Sequence, residues 1–127
     1  MTTIATALSE LGITEWVLRG EPTTEEEFTT MFGKVTGVTE DGTGIESYDP
    51  DDWGTTWSAV SAKKAELIAA EPMKALRAER DRLIAVTDWW AGSDHTMTDT
   101  QTAYRQALRD ITSSATSLDD VVWPVKP

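Results

Sequence analysis

Two amphipathic stretches near the C-terminal end constrain the fold of this chain more than any other feature. In the first, roughly Met73–Thr87, apolar residues recur at helical spacing. The second starts at Thr98, where Gln101 three residues on completes a capping box, and runs to Ile111. Each helix would be about 20 Å long, and a connector of about ten residues lets them lie antiparallel. The pattern therefore predicts a helical hairpin.

The apolar stripes of the two helices predict which side chains hold the hairpin together. These are Leu76, Leu83, Ile84, Tyr104, Leu108 and Ile111. After the second helix, Val121, Val122 and Trp123 are expected to return along the hairpin and cover its open side. Pro124 and Pro127 keep this tail extended, because proline cannot continue a helix.

The segment before the hairpin also has helical composition. A helix is predicted over roughly Trp57–Ala70, and Pro72 then predicts a kink or break, since a proline inside a helix removes a hydrogen bond and clashes with the preceding turn. The composition changes near residue 57. We therefore divide the chain into an acidic mixed α/β part, residues 1–57, and a helical hairpin module, residues 58–127, unless the two form one compact unit.

The front part combines short helices and short strands. Helices are predicted at Thr3–Leu11 and from Thr23 or Thr24 to Gly33, where glutamates three residues after each threonine complete the N-terminal signal. A strand is predicted at Ile13–Leu18, and a hairpin at Lys34–Tyr48 around the tight-turn pair Asp41-Gly42. The predicted class is therefore α+β: a small mixed N-terminal part with short strands and a C-terminal antiparallel helical hairpin with an extended tail.

The charge distribution narrows the classes of partner. The net charge is −11 over 127 residues, and residues 1–60 hold twelve carboxylates against Arg19 and Lys34. Such a surface repels nucleic acid and anionic lipid, so neither is expected as a partner. No apolar run is long enough for a membrane helix, no secretory signal is expected, and the absence of cysteine fits a reducing compartment. The acidic part is either a solvated surface or a docking face for a basic protein.

The chain offers little for catalysis. His95 is the one histidine and, although Asp94 is beside it, no serine stands on a nucleophile elbow. The acidic residues between Glu40 and Asp52 lack the twelve-residue spacing of a calcium loop. We therefore expect no enzyme activity, no metal site and no cofactor.

Tryptophan and arginine supply the candidate partner-binding residues. Trp89 and Trp90 are adjacent past a helix end and cannot both point inward, so one should anchor the connector and the other should face a partner. The arginines of the hairpin could form a basic stripe, but pairing with Asp81, Glu79 and Asp110 is the interpretation we favour. The candidates are Trp89, Trp90, Trp123, Arg80, Arg105 and Arg109.

The residues of the hairpin and tail also carry a family resemblance. Four elements occur in order, Leu76-Arg77-x-x-Arg80-Asp81-x-Leu83, Thr87-Asp88-Trp89, the stretch Tyr104-Arg-Gln-Ala-Leu-Arg-Asp-Ile111, and Val122-Trp123-Pro124. With this module, residues 73–127 resemble the bacteriophage tail assembly chaperone family. Family members often carry a proline directly after the last isoleucine, where this chain has Thr112-Ser113, and the acidic front part lies outside the module.

The resemblance implies a non-enzymatic phage accessory protein that binds tail proteins, in the first place a tail fibre, and assists their folding or assembly. It implies action in the host cytoplasm during assembly. The alternative is a permanent component of the virion tail, fibre or baseplate, present as a homo-oligomer or as symmetric copies. A third reading, an acidic mimic that binds a basic host protein, rests on the charge of the front part alone.

Overall fold

The computed structural model describes all 127 residues and contains four α-helices and one three-stranded antiparallel sheet, which confirms the α+β class. The chain divides into two compact units, Met1–Ala69 (unit 1) and Ala70–Pro127 (unit 2), and each is described by itself. The elements are α1 Ile4–Glu10, β1 Trp16–Leu18, α2 Glu25–Met31, β2 Phe32–Val38, β3 Gly44–Ser47, α3 Trp57–Val86 and α4 Asp99–Arg109, with short 3-10 helices at Pro50–Asp52, Asp88–Ala91 and Ile111–Ser113.

Threonine caps start both short helices of unit 1. The Thr3 side chain accepts from the backbone N–H of Thr6 and opens α1, and Thr24 accepts from Glu27 and opens α2. The helix predicted to end at Gly33 ends at Met31 instead. Phe32 already has extended backbone angles (φ −96°, ψ 128°) and begins β2, so that part of the prediction is wrong.

The sheet has the order β1-β2-β3, with β2 in the centre. The predicted hairpin at Asp41-Gly42 is confirmed, and Gly42 adopts the positive φ of 86° that the turn requires. β1 pairs with β2 only at Trp16–Leu18 and is shorter than the predicted strand. The reason is Glu15, whose φ of 54° interrupts the extended backbone just before Trp16.

Aromatic side chains fill the core of unit 1. Phe28 stacks on Phe32 with ring centroids 4.7 Å apart, and Trp53 meets both rings edge-on at 5.1 and 5.4 Å. Trp57, half-buried, packs on Phe28 at 5.4 Å. These rings join α2, β2 and α3 to the buried face of α1. The buried core residues of unit 1 are Ile4, Ala7, Leu8, Phe28, Phe32, Trp53 and Val60.

The longest helix, α3, runs without a break through Pro72, so of the predicted kink or break the break is wrong. Pro72 lacks an N–H for the carbonyl of Ile68, but both residues are exposed and water can reach that carbonyl. The unit boundary lies within this helix. No helix of the structure is both long enough and apolar enough to cross a membrane.

In unit 2, α4 packs back on the C-terminal part of α3. Its predicted capping box is confirmed: Thr98 accepts from the backbone N–H of Gln101, whose side chain accepts from the N–H of Thr98. Leu83 and Ile84 pack on a buried cluster of Tyr104, Leu108 and Trp90. Leu76, Ile111 and Ala115 are also buried.

The tail after Val121 forms no helix or strand. Trp123 packs on the buried cluster of unit 2, as expected. Val122 was expected to cover the same surface but is 85% exposed, because neighbouring residues of an extended chain point in opposite directions.

Candidate functional site

The connector after α3 presents two adjacent tryptophans in opposite environments. The short helix Asp88–Ala91 holds Trp90 inward, 3% exposed, with its ring centroid 6.1 Å from that of Tyr104. Trp89 points outward and is 64% exposed. The two adjacent rings therefore point in opposite directions, with Trp90 inside unit 2 and Trp89 at its surface.

Arg105 fixes the position of this connector. Its guanidinium donates to Thr87 Oγ1 at 2.7 Å, to the Ile84 carbonyl at 3.2 Å and to Asp88 Oδ1 at 3.2 Å. Both Arg105 and Thr87 are buried. Thr87 and Asp88 belong to the Thr-Asp-Trp motif, and Arg105 belongs to the motif at Tyr104–Ile111. Their contacts therefore tie the start of the connector to α4. The Arg105 side chain is used inside unit 2 and does not offer itself to a partner.

Of the other predicted arginines, Arg80 is half-buried and Arg109 is exposed. Arg80 pairs with Asp81 at 2.9 Å. Arg82 pairs with Glu79 at 2.7 Å, and this hydrogen bond holds the pKa of the Glu79 carboxyl below its ordinary value. Arg109 is exposed in the last turn of α4, where a cation is favourable at the negative helix end.

Trp123, the third predicted tryptophan, is half-buried against the cluster around Trp90. The Trp90 ring also has the Lys126 ammonium 5.8 Å from its centroid, within the range of a cation–π contact. Trp90 therefore receives a tail contact on its ring and has no free face to offer.

The loop that leads into the tail depends on Asp120, which the sequence analysis missed. Its carboxylate accepts from the backbone N–H groups of Thr116 at 3.0 Å and Ser117 at 2.9 Å. The Ser117 N–H, followed by the Thr116 hydroxyl, holds the pKa of Asp120 below its ordinary value. The stretch Thr116-Ser117-x-x-Asp120 was the available signal, since threonine, serine and aspartate commonly bond to nearby backbone groups.

Protonation of the Asp120 carboxylate should loosen this loop. Because its pKa is lowered on folding, the carboxylate stabilises the loop above the ordinary aspartate pKa of 3.8. This stabilisation is lost as the pH falls through the lower, folded pKa. We expect the Thr116 and Ser117 amide signals in a nuclear magnetic resonance (NMR) pH titration to move with a midpoint below 3.8.

In Asp120→Asn the two amides should shift already at neutral pH and show no such midpoint. Asp119→Asn is the matched control and should titrate like the unmodified protein, because the side chain of Asp119 has no hydrogen bond to these amides. A midpoint at or above 3.8 in the unmodified protein would contradict the assignment.

The one histidine of the chain lies between the short helix Asp88–Ala91 and α4. His95 lies half-buried, with Nε2 3.2 Å from Gln101 Oε1 and its ring 5.3 Å from that of Trp89. It therefore supports the connector beside Trp89. No group of three or more histidines and carboxylates in the structure could hold a metal ion. What unit 2 does present is apolar surface, at Val86, Trp89, Leu118, Val122 and Val125.

Comparison with known proteins identifies the module that carries this surface. Residues 73–127, a little under half of the chain, match the model of a family described as phage tail assembly chaperone protein. No curated protein and no solved structure matches the chain. The matched residues include the Thr87-Asp88 pair, Arg105 and all three tryptophans of unit 2. The resemblance seen in the sequence is thus confirmed: residues 73–127 match the phage tail assembly chaperone family.

Proposed function

We propose that the protein binds a phage tail protein, in the first place a tail-fibre chain, and assists its folding or assembly in the host cytoplasm. The observation that carries this proposal is Trp89. The Trp89 ring is large and apolar, and it is 64% exposed. The connector that carries it is held in place by the buried side chains of Trp90 and Arg105. Tryptophan is enriched among the residues that dominate protein interfaces, and a ring held rigidly in advance loses little entropy on binding.

A tail-fibre chain is a suitable partner because fibre proteins assemble from strand-rich chains. Before assembly such chains expose unpaired strand edges and apolar side chains, which promote aggregation. A small protein with an exposed aromatic anchor and a net charge of −11 can cover such surfaces and keep the complex soluble. This work needs binding energy and no chemical step.

A permanent place in the virion is the second candidate function, and the C-terminal segment of the chain favours it. Val122 and Val125 are 85% and 90% exposed on an extended segment without helix or strand. Apolar side chains on such a segment gain most from lasting burial against a neighbour. On this alternative the protein stays on the tail, fibre or baseplate after assembly.

Removal of the Trp89 ring should weaken binding of the tail protein and leave the fold intact. In Trp89→Ala we expect tail-protein affinity to fall by roughly 2 kcal/mol or more, about thirtyfold, because an interface anchor is lost. The midpoint of thermal unfolding should change little, since the ring is mostly exposed. The measurement is co-expression with the phage's tail-fibre protein, followed by quantification of soluble, assembled fibre.

Leu118→Ala is the matched control, because Leu118 is an exposed apolar residue of the same unit and lies outside the connector. It should support fibre assembly like the unmodified protein. Equal yields of assembled fibre with Trp89→Ala and with the unmodified protein would count against the proposed surface. Equal yields with and without the protein itself would count against a role in fibre assembly.

Mass spectrometry of purified virions separates the two candidates. An assembly helper that departs should be absent from virions and abundant in the infected lysate. A fixed copy number in virions, in multiples that follow the threefold or sixfold symmetry expected of phage tails and fibres, would instead make the protein a permanent tail component.

A further inference from the structure

The central strand of unit 1 has an edge that no other strand covers. β1 pairs with β2 only from Phe32 to Lys34, and the last backbone bond on this side runs from Val35 N to the Glu15 carbonyl at 2.7 Å. On the opposite side, β3 pairs with β2 at Lys34, Val35, Gly37 and Val38, with a β-bulge at Thr36. Gly37 and Val38 therefore have a paired strand on one side and none on the other, and the bulged Thr36 has no partner strand on the β1 side either.

A hollow lies beside this uncovered edge. Its volume is about 430 Å³, and it is lined by Glu15, Trp16, Val35, Thr36, Gly37 and Val38. The positive φ of Glu15 marks the point at which the chain leaves the sheet, and this departure opens the hollow. Trp16 and Val35 are half-buried, whereas Val38 is 67% exposed. The uncovered backbone edge of β2 and the apolar side chains that line the hollow thus lie next to each other.

We infer that this hollow receives an extended, positively charged segment of a partner protein, which pairs with residues 36–38 of β2 as an added strand. Unpaired N–H and C=O groups of a strand are satisfied best by another strand, and alternate side chains of the added strand then enter the hollow. The inference deepens the proposed function and rests on it only for the statement that the partner is a tail protein.

The negative charge of unit 1 favours a positively charged partner segment. Residues 1–69 hold thirteen carboxylates and four lysines or arginines, a net charge of −9. Glu15 itself lines the hollow, and the hairpin tip beside Val38 carries Glu40 and Asp41. The nearby cation, Lys34, has its ammonium bound to the Thr14 carbonyl. A strand with lysine or arginine facing solvent complements this surface, whereas a second copy of the acidic unit would be repelled.

The test uses purified full-length protein and a synthetic peptide of about six residues that alternates valine and lysine. When this peptide is added to the labelled protein, NMR should show chemical-shift changes centred on Trp16 and residues 35–38. The same peptide with N-methylated amides along one edge should fail to bind, because it cannot donate the strand hydrogen bonds. A peptide that alternates valine and glutamate should also fail.

Two variants locate the site. Val38→Lys removes an exposed apolar side chain and adds a positive charge, and we expect it to weaken peptide binding at least about fivefold. Glu15→Gln removes the charge that lines the hollow and should weaken binding to a smaller extent. Ser58→Lys adds the same charge at an exposed position of α3 and is the matched control, with binding unchanged.

Several results would overturn the inference. They are absence of binding, equal binding of the N-methylated or the glutamate peptide, and equal binding by Val38→Lys and Ser58→Lys. Shifts at residues 35–38 that grow with protein concentration in the absence of peptide would assign the edge to a second copy. The peptide assay contains no tail protein, so failure of fibre assembly with intact peptide binding would count against the proposed function alone.

Discussion

Replacement of Phe28 by alanine is expected to lower the free energy of unfolding of unit 1 by about 3–5 kcal/mol. Phe28 is fully buried, and its ring contacts those of Phe32, Trp53 and Trp57. Its removal leaves a cavity that the other rings cannot fill without losing their mutual packing. Small domains are stable by only about 5–15 kcal/mol, so the loss is a large fraction of the total.

The measurement is urea denaturation combined with hydrogen exchange of the α1 amides, which reports on unit 1 specifically. Phe28→Leu is the matched control and should cost less than half as much, because leucine fills most of the same volume. Exchange rates of α1 unchanged by Phe28→Ala would show that the aromatic cluster does not hold unit 1 together.

In unit 2 the largest loss is expected from Leu108→Ala, at about 2–5 kcal/mol. Leu108 is fully buried in the cluster with Trp90 and Tyr104. The same cluster supports the connector that carries Trp89, so the variant should also release the connector. Hydrogen exchange of the α4 amides and the fluorescence of the three tryptophans of unit 2 would report both effects.

Leu83→Ala provides the comparison, because Leu83 packs on the same cluster but is only half-buried. Its cost should be clearly smaller than that of Leu108→Ala, since less apolar area is withdrawn from water at this position. A Leu83→Ala variant as unstable as Leu108→Ala would mean that the contact between α3 and α4 is centred elsewhere.

Local signals in the sequence were sufficient for much of this fold. Capping residues such as Thr98 with Gln101 and the turn pair Asp41-Gly42 act within a few positions, and both were predicted correctly. The apolar stripe of α4 was correct for the same reason, since helical spacing alone sets which residues share a face. The opposite orientations of Trp89 and Trp90 followed from their adjacency.

Features that depend on distant residues could not be predicted in this way. Arg105 was expected to be available to a partner, but its burial depends on Thr87, eighteen positions earlier, whose hydroxyl it contacts. Phe32 fits a helical stripe and a strand equally well, and pairing with Leu18 in β1 decides between them. The uncovered edge of β2 exists because β1 stops short, which no pattern within β2 itself reveals.

The connection between Arg105 and the connector has a thermodynamic consequence. Trp89 is presented only when α4 has docked, because the Thr87 and Asp88 contacts hold the short helix that carries the ring. A partner that recognises this presentation therefore binds the folded form of unit 2 and not the unfolded chain. By mass action it must raise the melting temperature, with a gain of about 2.7 kcal/mol when the free partner is at one hundred times its dissociation constant. A thermal-shift screen of individual tail proteins would thus rank the partners of this surface before any assembly assay is available.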